Sequence, residues 1–314
     1  SWGIPYAAVM RGSKLVFPGP HLHADDLLDL MQAEPPTMAL GVPTIWLSLI
    51  QTYEANPGRW KLPQNFRSLV GGAAVPEALI RQFARHGISI QQGWGMTETS
   101  PLATVSVPTA EVAAMDEDAQ VAYKLKQGRP LCGIELKLTD DAGNRLPHDG
   151  RTPGRLKIRG VTIAGGYYAG AGGNVLDDEG FFDTGDVSTI DERGYMQITD
   201  RAKDIVKSGG EWISSIDIEN IVVGHPKAQY AAVIGVVHPK WDERPILLVQ
   251  LKDGETADGA EFLAWLDGKI AKWWMPDDVL IVDEIPLGPT GKVDKKLIRA
   301  RLEGYTLPFT NAER

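Results

Sequence analysis

Cysteine is almost absent. Cys132 is the only one in 314 residues, so no internal disulfide can form and a reducing cytoplasm fits. It reads as a small buried hydrophobe rather than a nucleophile. No apolar run approaches the ~18 residues that a membrane-spanning helix needs, and no signal-peptide pattern is visible. Positive charge is scattered and never runs. With 32 Lys and Arg against 41 Asp and Glu, the formal charge is -9, which argues against a nucleic-acid or anionic-membrane partner. His and Cys do not recur at metal-site spacing, and His21 and His23 read as surface residues. Internal repeats and low-complexity tracts are missing too. The first residue is Ser1 rather than Met. The Trp2-Gly3-Ile4-Pro5-Tyr6 that follows reads as mid-domain sequence, as expected of a piece of a longer protein.

What is present is enough chain for two domains and an ordinary core, with 43% hydrophobic residues. Residues 14–92 alternate short apolar runs with helical patterns. Leu15-Val16-Phe17, 37–42, Ser68-Leu69-Val70 and Ile88-Ser89-Ile90 are strand candidates. Helices are expected over 25–34, from Pro43 with Trp46, Leu49, Ile50 and Tyr53 inward, and from Pro76 with Leu79, Ile80 and Phe83 inward. Such alternation implies a parallel sheet covered on both faces, with ligands at the carboxyl ends of its strands. Over 121–200 the pattern turns to period two, as in Ile134-Glu135-Leu136-Lys137-Leu138 and Leu156-Lys157-Ile158-Arg159, between Gly and Asp turns. Residues 203–314 read as an α+β unit. Its helices are expected over 215–223, 261–274 and 294–301, and its strands over 230–237, 246–251 and 279–282. The expected class is therefore α/β plus α+β: a parallel-sheet subdomain over 1–120, a small antiparallel β-barrel over 121–201, and a C-terminal α+β domain over 202–314.

Gly93-Trp94-Gly95-Met96-Thr97-Glu98 follows a strand. Its glycines allow a ligand close to the backbone, and its hydroxyl and carboxylate suit a phosphate oxygen and Mg²⁺. The plain alternative is a tight turn with a helix cap at Thr97. GxGxxG is broken by Glu98, so a dinucleotide loop is disfavoured. Gly71-Gly72-Ala73-Ala74 also joins a strand to a helix. Asp183-Thr184-Gly185-Asp186 reads as a turn that lifts a carboxylate out of a strand, with an Asx-turn as the plain alternative. Lys292 follows Gly291 in a loop, but Pro286 and Val293 exclude a P-loop.

Taken together, these motifs and Lys207-Ser208-Gly209-Gly210-Glu211-Trp212 resemble the adenylate-forming (ANL) superfamily, in the fatty-acyl-CoA synthetase branch. The likeness runs from Trp2 to about Arg301. It implies an AMP-forming acid–CoA ligase using ATP, Mg²⁺ and CoA, with a mobile C-terminal domain. By resemblance, Lys292, Thr97 and Glu98 are catalytic. Thr97 touches the α-phosphate, and Glu98 holds the magnesium. Gly72, Ala73, Ala74, Gly93, Trp94, Gly95, Met96, Thr97, Asp186, Ile198 and Arg201 would form the nucleotide site, with Asp186 and Arg201 on the ribose. Trp2, Gly71 and Gly95 would border the acyl pocket. Lys203 would be the hinge, with Asp204 sharing the role. Lys207, Ser208, Gly209, Gly210, Glu211 and Trp212 would serve CoA.

The Ser/Thr/Gly-rich phosphate loop S-G-T-T-G-x-P-K-G of such enzymes does not occur in these residues. The β- and γ-phosphates are therefore expected to be handled elsewhere in the full protein. The implied acid is a medium- or long-chain fatty acid, with 3-methylmercaptopropionate as the alternative. A homodimer is compatible with the likeness. Two readings from other classes stand beside it. One is a non-catalytic nucleotide-binding relative, which retention of Glu98 and Lys292 disfavours. The other is a carrier-loading adenylation domain, which the Gly209-Gly210-Glu211-Trp212 wording disfavours.

Overall fold

Proline at the first helical position and an acidic first turn start the early helices as the pattern requires. In the computed structural model, described here for residues 3–63, 66–288 and 292–308, the chain divides into two units. One comprises residues 1–75, 79–184 and 188–198; the other comprises 76–78, 185–187 and 199–314.

In the first unit the order is α1 (Ile4–Arg11), α2 (Ala24–Ala33), β1 (Met38–Gly41), α3 (Pro43–Ala55), β2 (Arg67–Gly71), α4 (Glu77–Arg85), β3 (Ser89–Gly95) and β4 (Leu102–Val105). Then come α5 (Ala110–Ala113), α6 (Glu117–Lys124), β5 (Arg129–Pro130), β6 (Ile134–Thr139), β7 (Gly154–Gly160), β8 (Phe182–Ile190) and β9 (Met196–Arg201), of which 185–187 in β8 and 199–201 in β9 belong to the second unit. Strands β1 to β5 form one sheet in sequence order. β1, β2 and β3 are parallel, as the alternation predicts, whereas β4 and β5 are antiparallel additions. Trp46, Leu49, Ile50, Leu79, Ile80 and Phe83 meet in one core, so the helical faces read from spacing are the buried ones.

Strands β6 to β9 form a four-stranded sheet, antiparallel where β6 meets β7, not the expected barrel. Four strands of ordinary twist are too few to close on themselves. The outer edge of β9 is met instead by Gly128, bridged to Met196. Leu15-Val16-Phe17 is irregular rather than a strand, and Phe17 is 67% exposed. The prolines that follow it, Pro18 and Pro20, lack the N–H that a ladder needs. Cys132 is exposed, against expectation, in the loop before β6. His21 and His23 are exposed, as expected.

The second unit holds β10 (Val206–Ser208), β11 (Glu211–Ile213), α7 (Ser215–Val223), β12 (Ala228–His238), β13 (Asp242–Leu251), α8 (Gly259–Leu266), β14 (Asp278–Val282) and α9 (Lys295–Arg301). β11, β10, β13 and β12 lie side by side, and β14 joins β13 in parallel. Ser214, Asp258 and Asp294 cap α7, α8 and α9 by accepting from backbone N–H groups one turn on. The helix expected over 261–274 stops at Leu266, because Gly268 takes a left-handed φ of 73°. Among the described residues no helix is long and apolar enough to cross a membrane.

Candidate active site

In the first unit the carboxyl ends of β2 and β3 lie together, with Gly71 in register opposite Gly93. Loops leaving adjacent parallel strands are where such sheets bind ligands. Gly72 turns at φ 90°, Ala73 is exposed and Ala74 is half-buried. The loop is pinned by a buried side chain on β3: Gln92 Oε1 accepts from Val75 N–H at 3.3 Å and from Gln127 Nε2 at 3.1 Å. Gln92 was not singled out from sequence. Its one local signal is an amide on the alternating face that also carries Ile90 and Trp94.

Trp94 is 7% exposed and packs into the β6–β9 core, with Met96 against the same cluster. Gly95 answers first to the chain's own return: a Cβ there would lie 1.8 Å from the Pro101 carbonyl oxygen. Thr97 is exposed and opens a short 3-10 turn over Thr97–Thr99. The expected cap falls one residue earlier, at Met96. The hydroxyl that ties the turn belongs to Thr99, which accepts from Met96 N–H at 2.9 Å.

Glu98 is half-buried and doubly held. Its carbonyl accepts from Ala164 N–H at 2.8 Å, and its Oε1 accepts from the Tyr167 hydroxyl at 2.7 Å. That hydrogen bond to the carboxylate pushes the Tyr167 phenol up, so it stays a donor. Tyr167 was also missed, since it lies far from Glu98 in a Gly-rich loop. A magnesium ion carried by a nucleotide takes one or two carboxylates plus phosphate oxygens, and Glu98 supplies one such hard donor in a fixed orientation. Among the described residues no three or more His, Cys, Asp and Glu converge as a self-sufficient metal cage would.

In the second unit Asp186 sits within β8, not in a free turn. The strand continues through Gly185, whose φ of 72° needs glycine and whose carbonyl accepts from Ala202 N–H at 3.0 Å. Asp186 is 1% exposed, and its Oδ1 lies 2.7 Å from Arg201 Nε. Ile198, in the first unit, is half-buried, and its N–H donates to Gln127 Oε1 at 2.6 Å.

Lys292 stands on the returning limb of a hairpin. Gly288 N–H donates to Lys292 O at 2.7 Å, Asp294 N–H donates to Pro286 O at 2.8 Å, and Leu287 bridges Val293. Residues Pro289, Thr290 and Gly291 lie outside the described residues, as does Trp2 of the expected acyl pocket. Lost hydration and then the Arg201 charge push the Lys292 pKa down, while Asp186 pulls it up. The residue as a whole is exposed. Asp186, Arg201 and Lys292 thus share one electrostatic neighbourhood, with an acceptor for hydroxyls and two cations for a phosphate.

Lys203 is exposed in the turn after β9, which is closed by Asp204 and Ile205 N–H groups donating to Arg201 O, both at 2.9 Å. Asp204 differs from Lys203 in being tied to α9, its Oδ1 accepting from Arg299 at 2.7 Å. Gly209 and Gly210, at φ 59° and 86°, make the two-residue turn between β10 and β11. Gly209 N–H donates to Trp241 O at 2.9 Å, and a Cβ at Gly209 would meet the Trp241 ring at 2.9 Å. Lys207 and Glu211 are exposed, Trp212 is half-buried, and the buried Ser208 accepts from Arg244 at 3.2 Å.

Two family models match the chain. The AMP-binding enzyme family matches residues 1–168, and the AMP-binding enzyme C-terminal domain matches 217–292. A 3-methylmercaptopropionyl-CoA ligase of Ruegeria pomeroyi is 50% identical over 95% of this chain and 55% of its own length. A medium-chain-fatty-acid–CoA ligase of Ectopseudomonas oleovorans is 42% identical over 96% of this chain and 55% of its own. Among solved structures, ATP-bound MatB of Rhodopseudomonas palustris is similar with a TM-score of 0.74 and 30% identity, over 89% of this chain and 53% of that one. The chain spans about half the length of the curated relatives it matches.

Proposed function

This chain belongs to the AMP-binding enzyme family, and on that premise we propose that it serves an ATP-dependent acid–CoA ligase. In the first step a carboxylate oxygen attacks the α-phosphorus of ATP, and pyrophosphate leaves. In the second the CoA thiol, giving up its proton, attacks the acyl carbon of acyl-AMP, and AMP leaves. Thr97 would contact the α-phosphate. Lys292 would neutralise charge gathering there during attack. Asp186 and Arg201 would hold the ribose, with Gly72, Ala73, Ala74, Gly93 to Met96 and Ile198 around the rest of the nucleotide. Glu98 would hold magnesium, which when bound offsets the phosphate charge. Domain 202–314 would then turn about Lys203 and present Lys207 to Trp212 to the pantetheine arm. The observation that carries this reading is the shared charge field of Asp186, Arg201 and Lys292. A cytoplasmic location goes with it, and sedimentation of the full-length protein tests a homodimer.

The acid is read as a medium- or long-chain fatty acid bordering Trp2, Gly71 and Gly95. Identity of 50% to the 3-methylmercaptopropionyl-CoA ligase, against 42% to the medium-chain enzyme, favours that short sulfur-containing acid as the second reading. A panel of acids from acetate to octadecanoate, with 3-methylmercaptopropionate included, decides between them on the full-length protein. Lys292→Ala should slow ATP–pyrophosphate exchange on the order of 10²–10³-fold while sparing thioester formation from supplied acyl-AMP. Equal loss in both halves would overturn the two-step assignment. Acyl transfer to a carrier protein but not to CoA would replace a CoA ligase with a carrier-loading domain.

A further inference from the structure

Behind the Lys292 hairpin lies a charged cluster that none of the roles above uses. Lys295 is the first residue of α9. A cation there faces the positive end of the helix dipole, so helix stability does not account for it. Its side chain is only 12% exposed. The Nζ lies 2.8 Å from Glu219 Oε1 on α7 and donates to the Ser215 hydroxyl. Glu219 Oε1 also accepts from Val233 N–H at 2.7 Å, which fixes it against β12. Ser215 N–H donates to Asp200 Oδ2 at 2.8 Å, and Asp200 Oδ1 accepts from Arg201 N–H at 2.7 Å. One ammonium therefore joins the base of the Lys292 hairpin to the strand end that carries Arg201. One turn further along α9, Arg299 grips Asp204.

The groups facing Lys295 are Glu219 on α7, Asp200 at the end of β9 and Asp204 in the turn, and Asp217 on α7 lies within reach of the Asp200 charge. Burial pushes Asp200 and Glu219 up, and carries Asp217 to about 6 with help from the Asp200 charge. For Lys295 burial acts downward, but the Glu219 and Asp200 carboxylates outweigh it and hold the ammonium charged.

We propose that Lys295 is a positioning residue for Lys292: clamped between Glu219 and Ser215, it sets the paired limbs 286–288 and 292–294 against the Asp200–Arg201 strand end, so that Lys292 and Arg201 keep one mutual arrangement. Its catalytic consequence rests on the ligase reading, whereas its structural part does not.

The test uses the full-length protein with Lys295→Met, Lys295→Met combined with Glu219→Gln, and Lys295→Arg. The double variant removes both buried charges of the pair and keeps the test open if the single one does not fold. Hydrogen exchange of 286–296 is followed against that of 231–237 in β12. In the Met variants the hairpin should exchange about tenfold faster with β12 unchanged. ATP–pyrophosphate exchange should fall about tenfold or more while thioester formation from supplied acyl-AMP stays within about twofold, and Lys295→Arg should restore both. Unchanged hairpin exchange overturns the proposal. So does equal loss in the two half-reactions with faster exchange in β12, which marks a purely structural role. If wild-type protein shows no exchange with any acid, the ligase reading fails, and the hairpin measurement still decides the positioning.

Discussion

Arg201 Nε stands 2.7 Å from Asp186 Oδ1, an exposed guanidinium meeting a carboxylate that is almost wholly buried. Lys292 feels the two with opposite sign. A phosphate-neutralising lysine must be protonated, so the alkaline limb of adenylation reports its pKa. Asp186→Asn removes an attraction that holds the proton, so that limb should move to lower pH. Arg201→Met removes a repulsion and should move it to higher pH. Rates are compared at saturating ATP across pH, because on the proposed ribose roles both changes also weaken nucleotide binding. Limbs that move in the same direction, or not at all, would separate Lys292 from this pair.

The Tyr167 hydroxyl orients Glu98 from a distant loop. Glu98→Gln should raise the magnesium needed for half-maximal ATP–pyrophosphate exchange. Tyr167→Phe should do the same by a smaller factor, about fivefold, for an exposed hydrogen bond whose net contribution is that of an ordinary one. Melting temperatures should stay within a few degrees. A large drop for Glu98→Gln would make Glu98 a structural residue, and an unchanged magnesium requirement in both variants would remove the metal assignment.

Gly95 has no room for a methyl group. Gly95→Ala drives a Cβ against the Pro101 carbonyl, and backbone must move, at a cost of about 3 kcal/mol or more. Thermal unfolding measures it. An unchanged melting temperature would show that the 95–101 turn yields, and would return Gly95 to a purely ligand-facing role.

How much of this was legible depends on how local each signal is. The periodic faces of α3 and α4 and the Gly209-Gly210 turn are written within a few residues, and the fold keeps them. Closure of a barrel is a property of a whole sheet, and alternation in β6 and β7 says nothing about strand number. Gly185 looked like a turn because glycine marks both turns and positive-φ positions inside strands. Cys132 looked buried because free cysteine usually is. The contacts that orient the candidate site join residues far apart: Glu98 with Tyr167 across 69 positions, and Lys295 with Ser215 across 80. No local pattern encodes such pairs.

The connector tests the proposed turning of domain 202–314. Arg201 O accepts from both Asp204 and Ile205 N–H, and Asp204 is anchored to Arg299, so the position left exposed within the turn is Lys203. A pivot needs backbone that takes two φ/ψ settings and stays solvated in both. Proline at 203 holds φ near -65° and removes a donor. Lys203→Pro should therefore hold one setting, most simply the adenylating one. ATP–pyrophosphate exchange should then persist while CoA consumption from supplied acyl-AMP falls. Lys203→Ala, which keeps both settings open, should leave the two half-reactions near wild type. If Lys203→Pro runs both at wild-type rates, residue 203 is not the pivot. The Asp204–Arg299 pair is then the next place to look, since a turn about 204 would have to break it.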